Sequence, residues 1–187
     1  MAILLLGLAM FFAAHIIPMR TGARAGLIAR FGDGGYKGLF SLFAGVGLAL
    51  IVYGYGVAPK IQVWTPPIGL RHLTLLLMIP SFILLAAAYI PGRIKAAVKH
   101  PMLAAIKIWA SAHLLANGDV ASLILFTAFL AYAVVDRISV KRRGGGAARK
   151  PAGPIRNDVI ASAVGLGAYG AFALWLHPML IGVAVLP

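Results

Sequence analysis

Cysteine is absent from this 187-residue chain, and so is glutamate. Without cysteine there is no disulfide framework, no iron–sulfur centre, no thiolate zinc site and no thioether-linked haem. The acidic complement is four aspartates, so chemistry that needs a pair of carboxylates around a substrate has little to draw on. Charge of either sign is scarce, at 11% of residues against roughly 25% in a soluble domain. Disorder is excluded from the other side, because 61% of the chain is hydrophobic and a disordered chain lacks apolar residues to bury. The remaining class is a membrane protein whose positive charge, formally +13 in all, lies outside its apolar spans.

The uncharged runs supply those spans. A helix crossing a bilayer needs roughly 20 mostly apolar residues. The runs predict an all-α polytopic membrane bundle of about six helices, near 1–19, 38–59, 72–92, 101–118, 119–136 and 158–178, in one domain over the whole chain. The first run lacks a basic residue before its apolar stretch, and Arg20 and Arg24 follow it, the reverse of a cleaved signal peptide. Fourteen of the 17 basic residues fall in three alternate connections: Arg20 to Lys37, Arg93 to Lys99, and the basic loop 137–157. By the positive-inside rule that places both termini in the periplasm of a bacterial inner membrane. The basic loop has no aromatic among its charges, so nucleic acid is not an expected partner; the lipid bilayer is.

Three local patterns have ordinary explanations. Gly165, Gly167 and Gly170 spell GxGxxG, but inside the last span, where small residues serve helix packing. Tyr53-Gly54-Tyr55-Gly56 follows an unbroken helical run and fits a helix end with interfacial tyrosines better than a selectivity filter. Asp119, after Asn117-Gly118, is placed to cap the next helix.

Ionisable side chains inside spans are functional candidates, and the five histidines fall in two layers. His15 and His100 lie toward the cytoplasmic ends of their spans; His72, His113 and His177 lie toward the outer face. The fourth span is the most polar. His100, Ala104, Lys107 and Ser111 recur at helical spacing on one stripe, and Trp109, His113 and Asn117 on another. The 13 residues from His100 to His113 turn the helix by roughly 220°, so the two point apart. Lys107 is the one basic residue inside a span and should face an interior or polar cavity. Imidazoles suit zinc, copper, iron or haem, which leaves open a metal site of the three outer histidines and a b-type haem between two histidines of different helices.

The residues His15 and Arg20, Arg71-His72, the run His100-Pro101-Met102-Leu103 with Lys107 and Trp109, and His113-Leu114-Leu115-Ala116-Asn117-Gly118-Asp119 resemble the NnrU family of bacterial integral membrane proteins. Leu125-Phe126, Asp136-Arg137, His177-Pro178 and Gly182-Val183 extend the resemblance over nearly the whole chain. That family is associated with denitrification and is similar to the plastid 15-cis-zeta-carotene isomerases, membrane proteins that use haem b with two histidine ligands. The resemblance implies haem b as cofactor and His15 and His100 as the iron ligands; Lys107, from its place inside the span, is a cofactor-binding candidate that would face a carboxylate or propionate. His72, His113, Asn117 and His177 form a second polar cluster. The implied partners are redox or nitrogen-oxide metabolism proteins. A haem-dependent isomerase or lipid-phase oxidoreductase, and a transporter or accessory protein, are the alternatives. The His-Pro motif more faintly resembles isoprenylcysteine carboxyl methyltransferases, but Lys99 stands where those carry Arg.

Overall fold

A computed structural model describes residues 1–144 and 152–185. It is all-α: no strand occurs among these residues, only an isolated bridge between Gln62 and Asp119. The elements are α1 (Ala2–Ile16), a 3₁₀ turn (Ile17–Met19), α2 (Thr21–Gly56), α3 (Ile68–Tyr89), α4 (Arg93–Val98), α5 (Pro101–Ala116), α6 (Val120–Arg142), α7 (Ile155–Ala171), a π turn (Phe172–Leu176) and α8 (His177–Ile181). Five stretches are long and apolar enough to cross a membrane: Ala2–Met19, Thr21–Gly56, Ile68–Tyr89, Val120–Arg142 and Ile155–Ile181. The helix expected as the fourth span, Pro101–Ala116, is shorter. Its 16 residues reach only about 24 Å against a hydrocarbon core of about 30 Å. The chain divides into two compact units, Met1–Ile61 and Gln62–Pro187.

The first unit is an antiparallel pair. Gly54 of α2 meets Leu4 of α1, Gly7 of α1 meets Leu50 and Ile51, and Gly47 meets Phe11. Gly47 and Gly54 lie two helical turns apart, so both fall on the face turned to α1. A Cβ at Gly47 would stand 2.7 Å from the Phe11 backbone nitrogen, and one at Gly7 would stand 2.6 Å from that of Ile51. Lipid tails are as apolar as leucine, so helices in a bilayer associate through close packing of this kind. Leu4 and Leu8 are buried beside the small residues.

In the second unit α3 packs against both α5 and α7, α5 also packs against α6, and α4 touches α3, α5 and α7. Gly165 of α7 brings that helix onto α3, where a Cβ would stand 2.6 Å from Ile83 Cα. Gly167 and Gly170 have nothing near them, so the packing reading of the GxGxxG pattern rests on Gly165. Asp158, in the first turn of α7, accepts hydrogen bonds from the backbone N–H of Arg93 and Ile94, each 3.0 Å, while Asn157 donates to the Pro91 carbonyl at 2.7 Å. The α7 start therefore caps α4 from a distance in sequence of over 60 residues. At the other end, Val63 N–H bonds to the Gly118 carbonyl at 2.8 Å, and Gly118 is packed so closely on the Trp64 carbonyl that a Cβ has no place there.

Two connections differ from expectation. Arg20 to Lys37 is not a loop, because α2 starts at Thr21 rather than near Gly38. Alanine, arginine, leucine and isoleucine are compatible with helix whatever their charge. The interruption is at Gly32, whose φ of +72° breaks the helix locally in a region open mainly to glycine. The basic loop is shorter than 137–157: Arg137, Lys141 and Arg142 lie in the last turns of α6, where cations favour the helix dipole, and Arg156 is in α7. Its centre, with Gly145, Gly146, Arg149, Lys150 and Pro151, lies outside the described residues. Tyr53 to Gly56 do end α2, with Lys60 Nζ 3.3 Å from the Tyr55 ring centre.

Replacing Gly47 by leucine should weaken the α1–α2 pair by about 1–3 kcal/mol, the usual range for overpacking. Gly38→Leu, at a position with open space, should not. Thermal unfolding of the two variants in detergent gives the comparison; equal losses would mean that Gly47 is not a packing contact.

Candidate functional site

α5 carries most of the candidate residues, and its rotation is set by two hydroxyls of α3. Thr74 Oγ1 donates to the Ala112 carbonyl at 2.7 Å and to Leu70 at 2.9 Å. Ser81 Oγ donates to the Ala105 carbonyl at 2.9 Å. Both hydroxyls are buried and seven residues apart, as are Ala105 and Ala112. The side of α5 toward α6 is aromatic: Trp109 meets Phe126 and Phe129 edge-on with ring centres 5.1 and 5.4 Å apart, and the His113 ring lies 4.6 Å from Phe126.

These two contacts leave a third sector of α5. Lys107 is about 200° round from Ala105, at 100° per residue, and Ser111 is about 120° from it on the same side. Lys107 is half-buried and Ser111 exposed, so the stripe of Ala104, Lys107 and Ser111 faces neither α3 nor α6. Among the described residues the Lys107 side chain has neither a hydrogen bond nor an ion pair.

His100 begins this stripe as the N-cap of α5, half-buried, with Pro101 in the first turn. The residue before it is unusual. Lys99 has φ +65° and ψ −45°, and the His100 N–H bonds back to the Val98 carbonyl at 2.8 Å. That is a γ-turn of the positive-φ kind, rare and strained for a residue with a side chain. Strain of this sort costs about 1–3 kcal/mol and tends to gather at functional sites.

His15 lies in the first unit, half-buried near the end of α1. Its Nδ1 bonds to the Phe11 carbonyl at 2.7 Å, its ring stacks on Phe11 with centres 4.1 Å apart, and Phe40 of α2 lies 5.1 Å away. A carbonyl only accepts, so Nδ1 carries the proton and the lone pair of the neutral ring is on Nε2. Histidines that ligate metals are commonly held this way. His100 belongs to the second unit.

The second cluster is partly assembled. His113 Nδ1 donates to the Trp109 carbonyl at 2.8 Å, and Asn117 Nδ2 to the His113 carbonyl at 2.8 Å, so the predicted i, i+4, i+8 stripe is a ladder of side-chain bonds to backbone. His177, first residue of α8, bonds through Nδ1 to the Val183 carbonyl at 2.7 Å and packs against Phe172 at 5.9 Å. His72 is exposed in the first turns of α3, about 200° from Thr74 and hence on the side away from α5. No group of three or more metal-binding side chains occurs among the described residues, so the three outer histidines make no metal site there.

All four acids have structural partners. Asp33 pairs with Lys37 at 2.6 Å, Asp136 with Arg143 at 3.7 Å, and Asp158 caps α4. Asp119 caps α6, as its position after Asn117-Gly118 predicts: it accepts from Ser122 N–H at 3.1 Å and from the Ser122 hydroxyl at 2.5 Å. Sequence reading passed over Thr74, Ser81, Asn157 and the Lys99 turn. The heptad spacing of two hydroxyls in an apolar span was the available signal for the first two.

The native chain has no cysteine, so single cysteines report accessibility without background. In detergent, Ser111→Cys should react with a maleimide at least about tenfold faster than Ala112→Cys, whose position is fully buried. Equal rates would mean that α5 is rotated differently. Lys99→Gly should raise the unfolding free energy by about 1 kcal/mol by relieving the turn, read by thermal unfolding against Lys99→Ala, which should not.

A family model described as NnrU protein matches residues 3–185. No curated protein and no solved structure matches the chain. With nearly every residue covered and five stretches suited to crossing a bilayer, the chain belongs to the NnrU family and is an integral membrane protein.

Proposed function

We propose that this protein is a haem b-binding protein of a bacterial inner membrane, with periplasmic termini, acting in nitrogen-oxide metabolism. His15 and His100 would be the iron ligands, and Lys107 would face a propionate. When bound, the haem would supply a one-electron couple at its iron.

The observation that carries this reading is the strained turn at Lys99, which precedes His100 at the head of a stripe turned away from both α3 and α6. Two further features fit the group. The His15 tautomer places a lone pair on Nε2, and Lys107 is a cation with no carboxylate paired to it among the described residues, suited to a ligand carboxylate. With every aspartate already engaged, the chain's own residues supply imidazole and ammonium but no spare acid. The link to nitrogen oxides is supported by family membership alone.

Haem-supplemented protein purified in detergent should show a Soret band. His15→Ala and His100→Ala should each shift or abolish it, His177→Ala should leave it nearly unchanged, and Lys107→Ala should speed haem loss. Absence of a Soret band in the wild type after supplementation sinks the proposal; an unchanged spectrum in both ligand variants sinks the ligand assignment.

A further inference from the structure

The first unit holds a second polar feature that the haem reading does not use. Where α1 ends, an open cleft is lined by Pro18, Arg24, Tyr36, Lys37, Phe40 and Ser41. Its floor is apolar and aromatic: Tyr36 is buried, and Phe40 is half-buried. Its rim is cationic. Arg24 lays its guanidinium over the Tyr36 ring, 5.8 Å from the centre, and a guanidinium stacked on a ring keeps in-plane N–H donors for an anion. Lys37 reaches the same rim and is tied to Asp33 at 2.6 Å, a pair exposed on both sides and therefore weak enough to open for a stronger anion. Residues 20 to 37 hold four cations, Arg20, Arg24, Arg30 and Lys37, against that one acid.

The face of α2 below this rim changes character in one direction. Ser41, Gly45, Leu48 and Val52 follow at spacings of four, three and four, so they share the side of the helix that Lys37 begins. Gly45 has open space above it, and Leu48 and Val52 are 48% and 46% exposed. From Ser41 to Val52 the helix rises about 16 Å, about one leaflet of a 30 Å hydrocarbon core. A polar, cationic end leading onto an exposed apolar track one leaflet long has the dimensions of a phospholipid.

We propose that this cleft binds the phosphodiester of an anionic phospholipid, with Arg24 and Lys37 on the phosphate and an acyl chain along Gly45, Leu48 and Val52. Two cations favour a headgroup without an ammonium of its own, and the apolar track favours a lipid over a soluble phosphate.

Native mass spectrometry of the full chain in detergent tests it, with phosphatidylglycerol, phosphatidylcholine and glycerol 3-phosphate as separate probes. Phosphatidylglycerol should form a one-to-one adduct, about tenfold tighter than phosphatidylcholine, and glycerol 3-phosphate should form none at the same concentration. Arg24→Gln with Lys37→Gln should reduce phosphatidylglycerol to the phosphatidylcholine level, Arg24→Lys should retain part of the preference, and Arg142→Gln all of it. Circular dichroism and elution volume establish that the variants are folded. Wild-type protein that does not distinguish the two lipids, or a folded double variant that keeps the preference, overturns the proposal. Glycerol 3-phosphate binding as tightly as the lipid overturns the lipid as occupant.

Discussion

The rotation of α5 about its own axis decides what the candidate site can be, and two buried hydroxyls hold it. Thr74 and Ser81 bond carbonyls of α5 at Ala112 and Ala105. Alanine at both positions lets the helices come close enough for a side chain to reach across to backbone. Interhelical hydrogen bonds in membranes average about 0.6 kcal/mol, which is modest for stability. Their effect here is directional. With one side of α5 pinned to α3 and another filled by Trp109 against Phe126 and Phe129, only one sector is left for Lys107 and Ser111. A hydrophobic contact alone has no preferred direction; a hydroxyl aimed at a carbonyl adds one.

The scarcity of acid acts in the same direction. Each aspartate closes a helix end or steadies a surface cation, so the protein has no carboxylate in reserve near α5. On the proposed readings, a cofactor carboxylate would supply the counter-charge of Lys107 at α5, and a lipid phosphate that of the cations near Arg24. Both proposals have acidic small molecules standing in for acidic side chains.

Much of this was legible in the linear sequence, and the reason differs by residue. Apolar runs placed the spans because bilayer thickness sets a length that charge-free segments must reach. Pro101 and Asp119 were legible because first-turn proline and capping aspartate act locally. The start of α2 was not legible: charges mark where a chain leaves the hydrocarbon, and a helix can continue past that point until a residue such as Gly32 breaks it. The Asn157–Asp158 clamp on residues 91 to 94 is a contact over more than 60 residues, and nothing near either partner announces it. The Lys99 turn was hidden for a different reason, since positive φ is uncommon outside glycine and nothing about a lysine marks it. The candidate site follows this division. Its residue types were readable from their setting in apolar spans, while the sector they occupy depends on the α3–α5 hydroxyl bonds.

The π turn before His177 has a consequence for how this family can vary. Such a turn accommodates one more residue than the α-helical turn it replaces, and Phe172 meets His177 at the five-residue spacing this creates. The five residues of α8, His177–Ile181, are thereby rotated by about 100° from where an unbroken helix of the same length would set them. Deleting a single residue between Phe172 and Leu176 would restore regular hydrogen bonding and leave His177 and Pro178 on nearly the same side of the helix, because the π turn already absorbs the extra residue. The aim of this histidine is therefore insulated from a one-residue change in chain length here, and two relatives can differ in length before the His-Pro pair yet present it to the same neighbours.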